Sequence, residues 1–367
     1  MRVLLQSRMD LFSRPGGDTT HILRTKEYLG QRGVLCDIST ELRPNVSSYD
    51  LVHIFNITRP YESWLQLVNA KRSRKKVIFT PIYQNFSEWD QKGRYGWQQI
   101  FSWLKNKDAK EFIKNVARFS RLRHPQLLLT TLTTRYSTLQ KKLITMCDFL
   151  VVNSISEYEC LQNITPETPG YTVAYLGVDP PPIVDKKIFS KKYNCNNFIL
   201  CVANFASIKN HINLLKAMTG INIPVVLIGR PIATHQNYFA GVQTIAKGLS
   251  NVLIITKATR EEIYSAYANA SVHVLPSWTE SCGLVNLEAG LMGCNIVSTD
   301  RGFAKEYLKD MAWYCQPDKI ESIREAILKA YRAPKTERLS QYIAKHYRWD
   351  QHANITHEVY QKVLTKV

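Results

Sequence analysis

Two carboxylates stand eight positions apart in residues 275–299, Glu280 ahead of a predicted helix and Glu288 within it, with Cys282, Gly283 and Leu284 between them. The surrounding pattern reads as a buried strand ending near Pro276, a tight turn, a helix over 284–292 and a second strand over 295–299. The first turn of a helix carries N–H groups without intrahelical partners and partial positive charge, so it can seat a phosphate. Ionised carboxylates only accept hydrogen bonds, and each can take two hydroxyl donors. A phosphate seat flanked by two hydroxyl acceptors matches a diphosphate lying between a ribose and a hexose. The same spacing also suits an ordinary strand–turn–helix with two solvated glutamates.

Other residues with chemical potential lie at predicted strand ends. Lys209 follows the apolar run 198–203 and precedes a helix, where its ammonium can meet an anion held between helix N-termini. Gly16 and Gly17 join the first strand to the first helix and allow close backbone approach to a ligand. Asn56, Arg59 and Tyr83 are polar groups near the carboxyl ends of two further strands, the edge of an α/β sheet where ligands bind. His273, inside a β run, reads as a packed strand residue. No Asp-x-Asp stands at a strand end, so no metal site is expected.

These residues need two sheets to hold them. Strands and helices alternate with short connections throughout, which predicts an α/β chain of two doubly wound domains. At 367 residues, each half is large enough for its own core. The turn Gly177-Val178-Asp179 and the stiff run Pro180-Pro181-Pro182 place the boundary at roughly 180–190. Residues 143–153 read as one strand, and 336–367 as closing helices. No apolar run of about 18 residues is present, so no spanning helix is expected. The eight cysteines form no C-x-x-C pair, and the amino terminus lacks a signal-peptide pattern. A reduced, cytoplasmic protein is the expectation, and the Asn-x-Ser/Thr triplets are then without consequence.

The net charge of +18 is concentrated: residues 71–142 hold 17 Lys and Arg against 4 Asp and Glu. Within 85–140, aromatics such as Phe86, Trp89, Trp97 and Trp103 interleave with Lys105, Lys107, Lys110 and Lys114. Attachment to an anionic membrane surface fits this pattern, as does a solvated helix pair with aromatic core. Nucleic acid is disfavoured because no helix-turn-helix, zinc or RNP-type motif accompanies the charge.

The string Glu280, Glu288, Gly293, Cys294 and Val297, followed by Asp300-Arg301-Gly302 and Glu306, resembles the donor-site signature of retaining glycosyltransferases of family 4, the group 1 glycosyltransferases. The resemblance implies a GT-B fold, two Rossmann-like domains facing a central cleft, with C-terminal helices crossing back to the first. It implies residues 1–183 for the acceptor domain, 184–345 for the nucleotide-sugar domain and 346–367 for the returning helix. It assigns Glu280 to the transferred sugar, Glu288 to the ribose, Lys209 to the leaving diphosphate and the backbone of Cys282, Gly283 and Leu284 to phosphate. Gly17, Asn204, Arg230 and Lys257 complete the implied donor site, and Asn56, Arg59 and Tyr83 would face the acceptor. The implied donor is a nucleotide-diphosphate sugar (UDP or GDP) used without further cofactor or metal. The acceptor would be a glycan or lipid-linked glycan, as in cell-surface polysaccharide or glycolipid assembly at the inner membrane face. Two departures stand out. The family's usual Arg five residues before the Lys is Asn204 here, with Arg230 or Arg301 as replacements, and the usual His near residue 81 is absent. A non-catalytic GT-B binding protein, or a transferase acting on a protein acceptor, is the alternative.

Overall fold

Short runs of Val, Ile, Leu and Phe between amphipathic helices become parallel strands buried on both faces, as a sheet covered by helices requires. In the computed structural model, which describes residues 1–104, 106–122 and 124–365, they form two sheets of six strands. The first contains β1 (Arg2–Gln6), β2 (Leu35–Ser39), β3 (Leu51–Phe55), β4 (Lys76–Thr80), β5 (Phe149–Val152) and β6 (Tyr171–Val173), in the order β2-β1-β3-β4-β5-β6. The second contains β7 (Ile199–Val202), β8 (Val225–Ile228), β9 (Val252–Ile255), β10 (Val272–Leu275), β11 (Asn295–Thr299) and β12 (Trp313–Cys315), in the order β12-β11-β10-β7-β8-β9. Every pairing is parallel. Strand order reverses between β1 and β3 in one sheet and between β7 and β10 in the other. At such switch points the loops leave in opposite directions and open a crevice at the strands' carboxyl ends.

The chain divides into two compact units, Met1–Tyr83 with Leu104–Gly177 and Tyr347–Val367, and Gln84–Trp103 with Val178–His346. One difference from the expected boundaries follows. The first half is not one unbroken domain, because Gln84–Trp103 groups with the second unit. Of the last helices, Arg338–His346 belongs to the second unit and Trp349–Thr365 to the first. In that first unit, Tyr360 is fully buried and its hydroxyl lies 2.6 Å from His53 Nδ1. A Cβ on Gly177 would stand 2.2 Å from the Trp349 nitrogen, so glycine is needed where that helix begins.

The strand expected over 143–153 is instead the helix Tyr136–Met146 followed by β5. Leu139, Leu143 and Ile144 are buried at helical spacing, and a short apolar run cannot by itself distinguish a buried helix face from a strand. The second unit's core joins Ile199, Leu227, Val272, Val274 and Val297 from four neighbouring strands. All eight cysteines are unpaired.

Candidate active site

Lys209 and Glu280 meet at the second sheet's switch point. Lys209 closes the short turn Ser207–Lys209 after β7, and Asn210, with φ of +62°, starts the next helix. Asn210 Nδ2 donates to the carbonyls of Pro276 and Pro317, fixing this turn against the loop after β10. Glu280 stands in that loop. Its side chain is 6% exposed, and Oε1 is 2.5 Å from Lys209 Nζ. Glu280 is therefore a buried, paired carboxylate rather than a solvated turn residue.

The backbone around Glu280 is pinned from both sides. Its N–H donates to the Arg301 carbonyl and its own carbonyl accepts from Phe303 N–H at 2.8 Å. Gly302, at φ of +86°, permits this approach: a Cβ there would lie 2.0 Å from the Glu280 carbonyl oxygen. Gly283 caps the helix Leu284–Leu291 at φ of +71°, a left-handed conformation that costs side-chain-bearing residues roughly 1–2 kcal/mol. Cys282 is buried beside it. Asn286, on that helix's first turn, holds it to the sheet through His273 Nδ1 at 2.9 Å and Ser298 Oγ at 3.1 Å. His273 is packed in β10, as its sequence context suggests. Burial pushes its imidazole down to about 4, so it stays neutral and accepts from the Val202 N–H through Nε2. Glu288 lies one turn beyond Gly283's helix start, half-buried, and accepts from the Tyr267 hydroxyl at 3.3 Å.

The remaining donor residues of the second unit sit at neighbouring strand ends. Asn204 follows β7 and is half-buried, while Arg230 after β8 and Lys257 after β9 are exposed. Arg301, one of the two replacements considered for the missing family Arg, is ion-paired to Glu88 at 2.7 Å and to Asp300 at 2.7 Å. Glu88 belongs to Gln84–Trp103, and its part in this loop has no signature in the sequence. The other residues singled out belong to the first unit. Gly17, exposed, opens the helix Gly17–Gly30 after β1. Asn56 is buried at φ of +87°, and its Oδ1 accepts from the Thr58 N–H and hydroxyl, so its acceptor capacity is spent on the turn after β3. Arg59 caps the helix Pro60–Arg72, and the Tyr83 N–H donates to Glu157.

The basic–aromatic segment has a different polarity from the expected one. On helix Lys107–Leu122, Lys110 is 5% exposed and Lys114 pairs with Glu111 at 2.6 Å, while Lys107 is exposed beside the Tyr136 ring. Phe112, Ile113 and Val116 are exposed as well. Lys105 and the Trp97 side chain lie outside the described residues. A run of lysines in sequence does not say which helix face they take, and here Lys110 is buried while Lys114 pairs within its own helix.

Residues 185–347 match the family model described as "Glycosyl transferases group 1". They are a group 1 glycosyltransferase domain. The chain is 24% identical over 317 residues to a D-inositol 3-phosphate glycosyltransferase of Mycobacteroides abscessus, spanning 78% of this chain and 70% of that relative. Among solved structures, sucrose-phosphate synthase from Thermosynechococcus elongatus covers all of both chains with a TM-score of 0.76 at 14% identity. HepE from Anabaena, solved with UDP and glucose, covers 99% of this chain and 100% of its own with a TM-score of 0.68 at 13% identity. The fold is GT-B, with two Rossmann-like domains, and the chain is an enzyme of the glycosyltransferase class.

Proposed function

We propose that this glycosyltransferase is retaining, and that it moves a sugar from UDP or GDP to a glycan or lipid-linked acceptor held by the first unit. The observation that carries the donor half is the Lys209–Glu280 pair at the β7/β10 switch point, with Gly283 and Glu288 on the following helix. In the donor's absence Lys209 and Glu280 neutralise each other. An arriving diphosphate takes Lys209, and the released Glu280 accepts from the sugar's hydroxyls. Negative charge then grows on the leaving phosphate beside an ammonium and the N–H groups at the start of helix Leu284–Leu291. The leaving phosphate takes the acceptor's proton, so positioning matters more than a protein nucleophile.

Incubation with a panel of sugar nucleotides and lipid or glycan acceptors, read as release of free nucleoside diphosphate, tests this. Silence across all donors would favour the non-catalytic alternative. Full rate in excess chelator is expected, and its abolition would overturn metal independence. Glu288→Ala is expected to weaken nucleotide binding about tenfold, the loss of roughly 1.4 kcal/mol that one or two hydrogen bonds to a charged group carry. Unchanged affinity by calorimetry would refute the ribose assignment.

Peripheral membrane contact is favoured by the exposed Phe112, Ile113 and Val116, with Leu129 and Leu132 on the adjoining helix Pro125–Thr133. No helix among the described residues is long and apolar enough to cross a membrane. Replacing Phe112 and Ile113 by Ser should release the protein from anionic vesicles, and wild-type protein that ignores vesicles would end this reading. Cytoplasmic work at the inner membrane face, in polysaccharide or glycolipid assembly, follows from the same reading.

A further inference from the structure

Residues 84–103 group with the second unit, although the chain on either side of them, up to Tyr83 and from Leu104, belongs to the first. They form no strand, only a wide helical turn at Trp89–Gly93, a tighter one at Gly96–Gln99 and the single turn Ile100–Trp103. Helical pieces this short do not hold themselves in water, so outside contacts fix the segment's conformation. Those contacts fall on the loops at the carboxyl edge of the second sheet, the edge that carries Lys209 and Glu280. Trp89 Nε1 donates to Ser207 Oγ after β7 at 3.2 Å, and Gln98 Nε2 to the Thr234 carbonyl after β8 at 3.3 Å. Gly93 fits between Trp89 and Trp278, which follows β10, and a Cβ there would meet either ring at 2.5 Å. Glu88 Oε2 accepts from Arg301 Nε after β11 at 2.7 Å. Lys92 pairs with Asp318 after β12 at 2.8 Å, a surface contact of little energy by itself. The segment is braced within: the Arg94 guanidinium lies 3.6 Å over the Trp89 ring and bonds the buried Asp90 at 2.9 Å.

Two of these ties act on the loops of the Lys209–Glu280 pair. Ser207 opens the three-residue turn that Lys209 closes. The middle residue of that turn, Ile208, gives its carbonyl to the Trp278 N–H at 2.8 Å, so the turn is held between Trp89 and the loop after β10. On the other side, the Glu280 N–H donates to the Arg301 carbonyl at 3.3 Å. Where that carbonyl stands depends on the Arg301 side chain, which Glu88 and Asp300 grip at 2.7 Å each. A guanidinium held between two carboxylates is engaged, unlike a cation free to meet a diphosphate. Transfer needs both groups delivered to fixed places, and a misplacement of about 1 Å can cost on the order of 10²-fold in rate.

We propose that Glu88 and Trp89 are positioning residues for the transfer reaction. Trp89 sets the turn that delivers Lys209, and Glu88, acting through Arg301, sets the loop that delivers Glu280. Arg301 is spent on this loop and does not replace the cation that Asn204 lacks. The catalytic roles of Lys209 and Glu280 rest on the donor reading above, whereas the placement of their loops does not.

Kinetics of the full chain test the first part. Trp89→Phe and Glu88→Gln should each lower kcat roughly tenfold with donor KM changed less than about threefold, and Glu88→Asp should recover part of the loss. Because Glu88 and Arg301 act as one unit, Glu88→Gln combined with Arg301→Gln should be no slower than the slower single variant. A roughly tenfold rise in donor KM for Arg301→Gln, with Glu88→Gln unchanged, would put Arg301 on the diphosphate and overturn the role of Glu88.

Amide exchange in the full chain gives a reading that needs no turnover. The Glu280 N–H should exchange roughly tenfold faster in Glu88→Gln, and the Trp278 N–H roughly tenfold faster in Trp89→Phe, while the amides of β7 and β10 keep their wild-type rates. Unchanged exchange at these two positions overturns the proposal. Faster exchange throughout the second unit does so too, since it would reduce the segment to packing. Absence of nucleoside diphosphate release from the wild type with every donor would refute the donor reading instead, and the exchange rates would then decide the positioning role alone.

Discussion

Replacing Lys209 by Ala is expected to lower the transfer rate by roughly 10²–10³-fold, the range for removing one preorganised group that stabilises charge in a transition state. The ammonium sits where negative charge appears as the sugar–phosphate bond breaks, so kcat should fall more than donor affinity. The same change has a structural cost, because it leaves the Glu280 carboxylate 6% exposed without its ion-pair partner. A buried acceptor left unmade costs roughly 1–3 kcal/mol, somewhat less here since Lys209 itself is 28% exposed. The double variant Lys209→Ala with Glu280→Gln separates the two effects. Its Tm should recover toward wild type while its rate stays low. A single Lys209→Ala variant that keeps its rate within threefold would show that the helix start after Gly283 holds the leaving group alone.

The second unit's site was legible because its determinants are local in sequence. Glu280, Gly283 and Glu288 share one strand–turn–helix, and Lys209 lies at the end of the strand paired beside it. Topology then explains why they meet: β7 and β10 are neighbours at the point where strand order reverses. What escaped sequence reading depends on contacts distant in the chain. Glu88 reaches Arg301 across 213 positions, and Trp89 reaches Ser207 across 118. No periodicity in residues 84–103 announces either partner. Helix orientation was also illegible. A helix bearing both lysines and phenylalanines is amphipathic in either sense, and its own sequence does not say that Lys110 is the buried side chain and Phe112 the exposed one.

Acid is expected to destabilise the protein well above the carboxylate range, because five imidazoles are buried neutral. His21, His53 and His352 lie in the first unit and His211 and His273 in the second. Burial lowers every one: His352 and His273 to about 4, His211 to about 3, and His21 and His53 well below the ordinary 6.5. Several are also committed as neutral hydrogen-bonding groups. His53 spans Tyr360 and Thr80, and His21 meets His352 ring to ring at 3.2 Å between nitrogens. Unfolding restores an ordinary imidazole that protonates near 6.5. Between 6.5 and the lowered native values, the unfolded chain therefore binds more protons, and stability falls as pH falls. Each group forfeits about 1.4 kcal/mol by pH 5.5, so the first unit's three should together remove on the order of 4 kcal/mol. At about 2–4 °C per kcal/mol for a unit of this size, its Tm should drop by roughly 10 °C between pH 7.5 and 5.5. Scanning calorimetry across that range reads the drop, and proton uptake on unfolding at pH 5, measured in buffers of different ionisation enthalpy, should approach five and fall by one in His273→Asn. A Tm unchanged down to pH 5 would mean that these imidazoles gain their protons within the native fold.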